Sequence, residues 1–436
     1  MFGSNCVSTV KGWEERIEGT KSYAIDKNVV YQAWLRVKAN GGAPGIDGQS
    51  IEDFERKLKD NLYKLWNRMS SGSYHPQAVR LCPIPKPGGG ERVLGIPTVT
   101  DRIAQTMGVS SMEPKVEPHF HPDSYGYRPG KSAQDAVGTA RRRCWRYNWV
   151  IDMDIKSYFD TIDHELLLKA VKKHVSEAWV LLYIERWLKV PGEDSTGRLV
   201  QREKGTPQGG AISPLLANLF LHYVFDAWMQ REFPTMPFER YADDIIVHCY
   251  TEKQARFVLE GIRRRLEACG LKVHPDKTKI VYCKDGLRRE DSEHTKFKFL
   301  GFEFRPRLVR NNTTGQFFVG FTPAVSPEAK QTMRRDIDDW GLTSQTTLSL
   351  TEVAEKINPV VRGWLDYYGA YCRSAMGQIL HQVDVVLTSW AMKKYRWLHR
   401  RRVESFRWLG RVRRASPGLF AHWNAAPAHG RTTRAV

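Results

Sequence analysis

The feature that most constrains this chain is a pair of acids inside an apolar run. WVIDMDI, residues 149–155, carries Asp152 and Asp154 among tryptophan, valine, isoleucine and methionine. Such a run reads as a buried strand, and a bare carboxylate in a buried strand is costly to desolvate. Alternation points Asp152 and Asp154 to the same face. A second apolar stretch, FERYADDIIVHCY (238–250), reads as strand, turn, strand, with Asp243 and Asp244 at the tip. Asp is common in turns, so YADD taken alone also fits a solvated hairpin. Two adjacent carboxylates at a hairpin tip nonetheless repel each other unless a cation shares them.

Carboxylates at strand ends suit phosphoryl transfer from a nucleoside triphosphate, which uses two magnesium ions about 4 Å apart. Magnesium prefers hard oxygen ligands, and two or three aspartates on neighbouring strands can supply the protein's share. Asp154, Asp243 and Asp244 are the candidate ligands. Asp152 is either a further ligand or a charged neighbour. Asp160 reads as a cap of the turn before HELLLKAV.

Charge points to the partner. The 436 residues carry 67 Lys and Arg against 48 Asp and Glu, a net +19, which implies a polyanion such as nucleic acid. No apolar run approaches the ~18 residues of a membrane-spanning helix. The seven cysteines are scattered and form no C-x-x-C pair, which argues against a disulfide framework or a cysteine zinc site. No secretory or organelle-targeting segment is evident at the N-terminus, so a reducing, cytoplasmic setting is expected.

The length suggests two to four structural units. Residues 51–69 place Phe54, Leu58, Leu62, Leu65 and Met69 on one helical face. LCPIP and KPGGGERVLGIP (81–97) read as a hairpin with Lys86 and Arg92 flanking its glycine turn. Ser132 caps a helix opening at SAQDAV, with Asp135 in capping-box position. Residues 213–229 and 253–270 read as helices, and 271–283 and 296–306 as strand-like. The polar stretch 307–325 reads as a linker. Beyond it the pattern is helical, with Ser326-Pro327 starting one helix and Leu350, Val353, Ile357, Val361, Trp364 and Tyr368 marking another. From residue 390 onward twelve lysines and arginines face one acid, Glu404, with seven aromatics threaded through them. Such a segment binds a phosphate backbone, with the aromatics stacking or anchoring the fold.

Several blocks stand in a telling order: GAPGIDG, IPKPGGGERVLGIPTVTDRI, SYGYRPGKSAQDAV, DIKSYFDTIDH, GTPQGGAISPLLANLFLHYVFD, RYADD, LKVHPDKTKI and FKFLGFEF. The series resembles the successive motifs of reverse transcriptases encoded by group II introns. INPVVRGWLDYYGAYC (357–372) is similar to that family's maturase-specific domain, and LFAHW (419–423) to the C-termini of its short bacterial, endonuclease-lacking members.

The resemblance implies an α+β right-hand polymerase. Its parts would be an N-terminal extension and fingers (1–149), a palm with an antiparallel sheet (150–306), a linker (307–325), a helical thumb or maturase domain (326–405) and a basic nucleic-acid-binding tail (406–436). It implies RNA-directed DNA polymerase activity with two Mg²⁺ ions, Mn²⁺ being a substitute, at Asp154, Asp243 and Asp244. Phe159 matches the aromatic gate against ribonucleotides, Lys86 and Arg92 the clamp on the triphosphate, and Gln208 the residue lying against the nascent base pair. Lys277 or Lys279 is either a general acid toward pyrophosphate or a phosphate contact. Tyr241 packs near the primer end or in the core. The implied partners are intron RNA, an RNA template with a DNA primer, target DNA and dNTPs, with no membrane. Two other biologies share these residues: a domesticated enzyme serving defence or repair, and a maturase acting only as an RNA-binding protein.

Overall fold

The computed structural model describes residues 21–85, 90–288, 290–310 and 314–425. The chain divides into two compact units that interleave in sequence. One takes residues 1–122, 156–232 and 264–272; the other takes 123–155, 233–263 and 273–436.

The first unit is helical around one small sheet. Helix Val99–Val116 is its buried spine, with Ile103, Ala104, Met107 and Met112 at zero exposure. Its start is fixed by Thr98, whose side chain accepts from the Asp101 amide. The face expected as one helix over 51–69 is two helices, Ile51–Arg56 and Leu58–Ser70. Lys57 leaves helical geometry at φ −123°, and the Asn61 side chain donates to the carbonyl of Phe54 at 3.0 Å, taking the bond that a continuous helix would have made. The expected hairpin is present: Val79–Pro85 pairs antiparallel with Glu91–Ile96, and Gly192–Glu193 and Leu199–Val200 extend the sheet. The apolar helix expected over 213–229 runs Ser213–Leu221, loosens into a π-turn at His222–Asp226 and resumes as Ala227–Glu232.

The second unit is built on an antiparallel four-stranded sheet, ordered Phe238–Tyr241, Asp244–Cys249, Trp149–Asp154, Lys279–Tyr282. Helix Ala133–Cys144, closed at its start by the expected Ser132/Asp135 capping box, packs Ala136, Val137 and Ala140 with Val150, Ile246 and Val281 of the sheet. Phe297, Phe299, Phe302, Phe304 and Phe321 complete that core. Only 279–282 of the stretch 271–283 is strand.

Residues 307–325 are not a linker. The described residues among them belong to a hairpin, Phe302–Arg310 against Phe317–Val325, in continuous register from Phe302↔Val325 to Arg310↔Phe317. Polar composition misled here because only the inner end is buried: Phe321 to Val325 are core, whereas Leu308, Phe317 and Phe318 are exposed.

The helices that follow, Pro327–Asp339, Leu350–Tyr368, Gly377–Lys394, Arg402–Ala415 and Ala421–Ala425, share a second core. Ser326 caps the first as the sequence suggests, Ser349 caps the second, and Gly341 takes φ +58° beyond the first. A boundary at 405/406 would cut through a helix. Trp390, Leu409, Phe420 and Trp423 are at most 4% exposed, so much of the aromatic content of the basic segment is core. Burying one such ring contributes about 2–3 kcal/mol. Of that segment's seven aromatics one, Trp397, is exposed, at 51%. Among the described residues no helix is long and apolar enough to cross a membrane.

Candidate active site

Strand Trp149–Asp154 buries Val150, Ile151 and Met153 and leaves Asp152 and Asp154 half-exposed. It lies between two neighbours, and the register decides what the acids meet. Asp154 stands directly opposite Asp244; Asp152 stands opposite Ile246 on one side and Lys279 on the other. Tyr241 pairs with Asp244, so Ala242 and Asp243 alone make the hairpin turn. Ala242 takes φ +56°, the left-handed conformation that tight hairpin turns demand at their first central position.

These four carboxylates line a cavity of about 730 Å³ together with Lys277, Lys279, Lys296 and Lys298. The acids perturb each other. Burial pushes the Asp244 carboxyl well above its ordinary range, and the charges of Asp152, Asp243 and Asp154 push it further. Asp152 is raised to about 7, by burial first, with Lys279 opposing and Asp154 adding. Asp154 is ion-paired with the Lys277 ammonium, and its carbonyl accepts from the His274 amide at 2.8 Å. Lys277 and Lys279 are therefore separable: the first engages Asp154, the second faces Asp152. The lining lysines 296 and 298 and Asp276 carried no sequence signal, because nothing in their local pattern says which side of the sheet they reach.

The donor set is hard, anionic and mutually repelling, which fits magnesium. Among the described residues no three His, Cys, Asp or Glu side chains form a ready-made metal cage. Magnesium takes one or two carboxylates and completes its shell with water and substrate phosphates.

The first unit gathers the other candidates. Phe159 lies on the short helix Tyr158–Thr161, half-buried, beside a Tyr158 whose hydroxyl donates to the Ala217 carbonyl at 2.5 Å. The Phe159 carbonyl accepts from Thr206 at 2.7 Å. Gly205 beside it has φ +79°, and a Cβ there would stand 2.5 Å from that same carbonyl oxygen. Arg92 Nε donates to Gln208 Oε1 at 2.5 Å, and Gln208 Nε2 donates to the Asp160 carboxylate at 3.3 Å. A guanidinium only donates and a carboxylate only accepts, so the amide of Gln208 has one orientation. Asp160 is thus a partner of Gln208, not the expected cap; Asp163 caps helix His164–Lys172, accepting from Leu166. Lys86 lies outside the described residues. Tyr241, in the second unit, is half-buried and packs against the phenylalanine core, with the Tyr127 ring 6.4 Å away.

Residues 84–304 match the family model described as reverse transcriptase (RNA-dependent DNA polymerase), and residues 330–408 match the group II intron maturase-specific domain. The chain belongs to the group II intron reverse transcriptases. The protein YkfC of Escherichia coli is 34% identical over 308 residues, which cover 62% of this chain and 77% of that protein. The group II intron-encoded protein LtrA of Lactococcus lactis is 33% identical over 234 residues, 53% of this chain and 38% of that one. The nuclear intron maturase 1, mitochondrial, of Arabidopsis thaliana is 27% identical over 106 residues, 24% of this chain and 15% of that protein. The chain thus spans well under half the length of the latter two.

The reverse transcriptase match begins at the end of strand Val79–Pro85 and stops inside Phe302–Arg310, so it draws on both units. It includes all seven site candidates. The maturase match ends within helix Arg402–Ala415, yet the fold of this reverse transcriptase buries Phe420 and Trp423 with the matched helices.

Proposed function

We propose that this reverse transcriptase extends a DNA primer along an RNA template at the cavity lined by Asp154, Asp243 and Asp244, and that it also binds its host intron RNA as a maturase assisting splicing and retrohoming into target DNA. The observation that carries the catalytic part is the register Asp154↔Asp244 with Asp243 in the adjoining turn, all facing one cavity with lysines on its rim. Two bound Mg²⁺ ions would activate the primer 3′-hydroxyl and neutralise the triphosphate. Asp154, Asp243 and Asp244 would hold them.

The remaining roles belong to this chain's own side chains. Arg92, with Lys86, neutralises the β- and γ-phosphates. Phe159 sets a ring beneath the sugar, where a ribose 2′-hydroxyl would collide. Gln208, its amide held by Arg92 and Asp160, lies against the nascent base pair. Lys277 stands where an ammonium can meet departing phosphate oxygens. In polymerase terms, the sheet of the second unit is the palm, the hairpin of the first the fingers, and the helices from Pro327 onward the thumb. That division and the bacterial, cytoplasmic setting rest on family resemblance.

The test is primer extension on an RNA template with Mg²⁺ and dNTPs, wild type against Asp243→Ala, with RNA binding measured in parallel. Extension should vanish in the variant while RNA affinity stays within about twofold, because the intron-binding surface does not need the carboxylate. Equal loss of both in a folded variant would refute the separation of the two activities.

A further inference from the structure

The turn that presents Asp243 is held from two sides. Residues Asp123–Gly126 run along the edge of strand Phe238–Tyr241. The Arg240 amide donates to the Asp123 carbonyl at 3.0 Å, the Tyr125 amide donates to the Arg240 carbonyl at 2.8 Å, and Ser124 forms a parallel bridge with Arg240. This pairing carries Gly126 onto the turn. A Cβ at position 126 would stand 2.6 Å from the Ala242 nitrogen and 3.1 Å from the Tyr241 carbonyl carbon. Both obstacles are backbone atoms, which cannot rotate aside as a side chain does.

Gly126 is not among the residues with positive φ. Glycine is therefore not needed there for its own conformation. What matters is the missing side chain, which lets the segment close on the turn. On the carbonyl side of Ala242, Arg240 Nη1 donates to that residue's oxygen at 3.2 Å. Arg240 is fully buried. Buried cations seldom improve stability over an apolar side chain of similar volume, and this guanidinium directs one nitrogen at the turn.

We propose that Gly126 and Arg240 are positioning residues for the catalytic turn, Gly126 seating its amide side and Arg240 its carbonyl side, so that Asp243 is held in place relative to Asp154 and Asp244. The proposal rests on the reading that these carboxylates hold the catalytic cations. Neither residue touches substrate. The small methyl of the left-handed Ala242 offers no hydrogen bond to fix the turn, and a displacement of the turn would move Asp243 without unfolding the sheet beneath.

The experiment compares wild type, Gly126→Ala and Gly130→Ala. Gly130 is a fair control: it lies four residues on, at φ +69° with nothing within 4 Å of an added Cβ, so its substitution strains the same loop without touching the turn. Mn²⁺ binding is read from the free-ion signal in electron paramagnetic resonance, alongside kcat, the KM for dNTP, RNA affinity and the melting temperature. Gly126→Ala should weaken Mn²⁺ binding several-fold and lower kcat about tenfold to a hundredfold, the usual effect of a misplaced catalytic group. Its RNA affinity and KM for dNTP should remain those of the wild type. Gly130→Ala should lower the melting temperature and leave Mn²⁺ binding unchanged. A folded Gly126→Ala with wild-type Mn²⁺ affinity and kcat would overturn the proposal, as would an equal loss in Gly130→Ala. If Gly126→Ala fails to fold, Arg240→Lys takes its place in the same assays, and unchanged Mn²⁺ binding there is equally fatal. A wild type whose Mn²⁺ binding survives Asp243→Ala undamaged would instead remove the underlying reading of the site.

Discussion

Replacing Asp384 with alanine should release the C-terminal segment from the helical core of the second unit. The Asp384 side chain, on helix Gly377–Lys394, accepts two bonds at the same oxygen: from His422 Nε2 at 2.9 Å and from Trp423 Nε1 at 3.0 Å. A carboxylate oxygen only accepts, so His422 carries its proton on Nε2. His422 and Trp423 are 2% and 4% exposed, so truncation strands two buried donors. Each stranded donor costs about 1–3 kcal/mol, so Asp384→Ala should lose roughly 4 kcal/mol. Asp384→Asn keeps an oxygen that can accept both bonds and loses only the charge, a cost of about 1 kcal/mol. Burial alone would raise the Asp384 carboxyl, but the hydrogen bonds and charge of His422, the bond from Trp423 and the charge of Arg413 outweigh it and hold the group below its ordinary range. A depressed folded pKa stabilises above the unfolded value of about 3.9, and that gain is lost as pH falls through the folded value. The gap between wild type and Asp384→Asn should therefore begin to narrow as pH falls below about 4. Urea unfolding followed by tryptophan fluorescence at pH 7 and pH 3.5 measures all of this. A loss below about 0.5 kcal/mol for Asp384→Ala, or equal losses for alanine and asparagine, would refute the lock.

Phe159→Val should admit ribonucleotides, read as a fall of at least about tenfold in the preference for dNTP over NTP in single-nucleotide extension; unchanged sugar discrimination would remove the gate. Arg92→Ala and Gln208→Ala should each raise the KM for dNTP, and the double variant should lose less than the two together by about 1 kcal/mol, because one hydrogen bond joins them. Strict additivity in that cycle would show that the bond has no part in substrate binding. Asp152→Asn should keep kcat within about tenfold of wild type while Asp154→Asn loses a thousandfold or more. Asp152 sits two residues deeper, opposite Ile246 and Lys279, and equal losses in single-turnover extension would make it a ligand of the same rank.

What was legible in the sequence followed from periodicity and from punctuation. The capping pair Ser132/Asp135 starts its helix because it satisfies two end groups locally, without help from the rest of the fold. The acids of WVIDMDI and YADD were legible because carboxylates among apolar residues have few benign explanations. Helix breaks were not. Lys57 and the π-turn at His222–Asp226 interrupt segments whose apolar spacing is continuous, and only a bond such as Asn61 to the Phe54 carbonyl reveals the stop.

The polar stretch 307–325 fails for a related reason. A two-stranded ribbon that leaves its outer half in solvent has the composition of a loop, and its pairing partner, not its own residues, makes it a strand. The same limit applies at the site. Spacing tells that Asp152 and Asp154 share a face, but not which of them meets the turn of another strand. Register assigns Asp154 to Asp244 and Asp152 to Lys279, and a slip of one residue would change those neighbours and turn the acids into the core. Gly126 shows it most sharply. Within SYGYRPG it reads as one more loop glycine, and nothing local distinguishes it from Gly130. Only the fold brings one of them against the Ala242 amide and leaves the other in open space. Motifs therefore locate the chemistry, whereas a residue such as Gly126 is defined by its approach to a segment more than a hundred positions away, where a single sequence carries no signal.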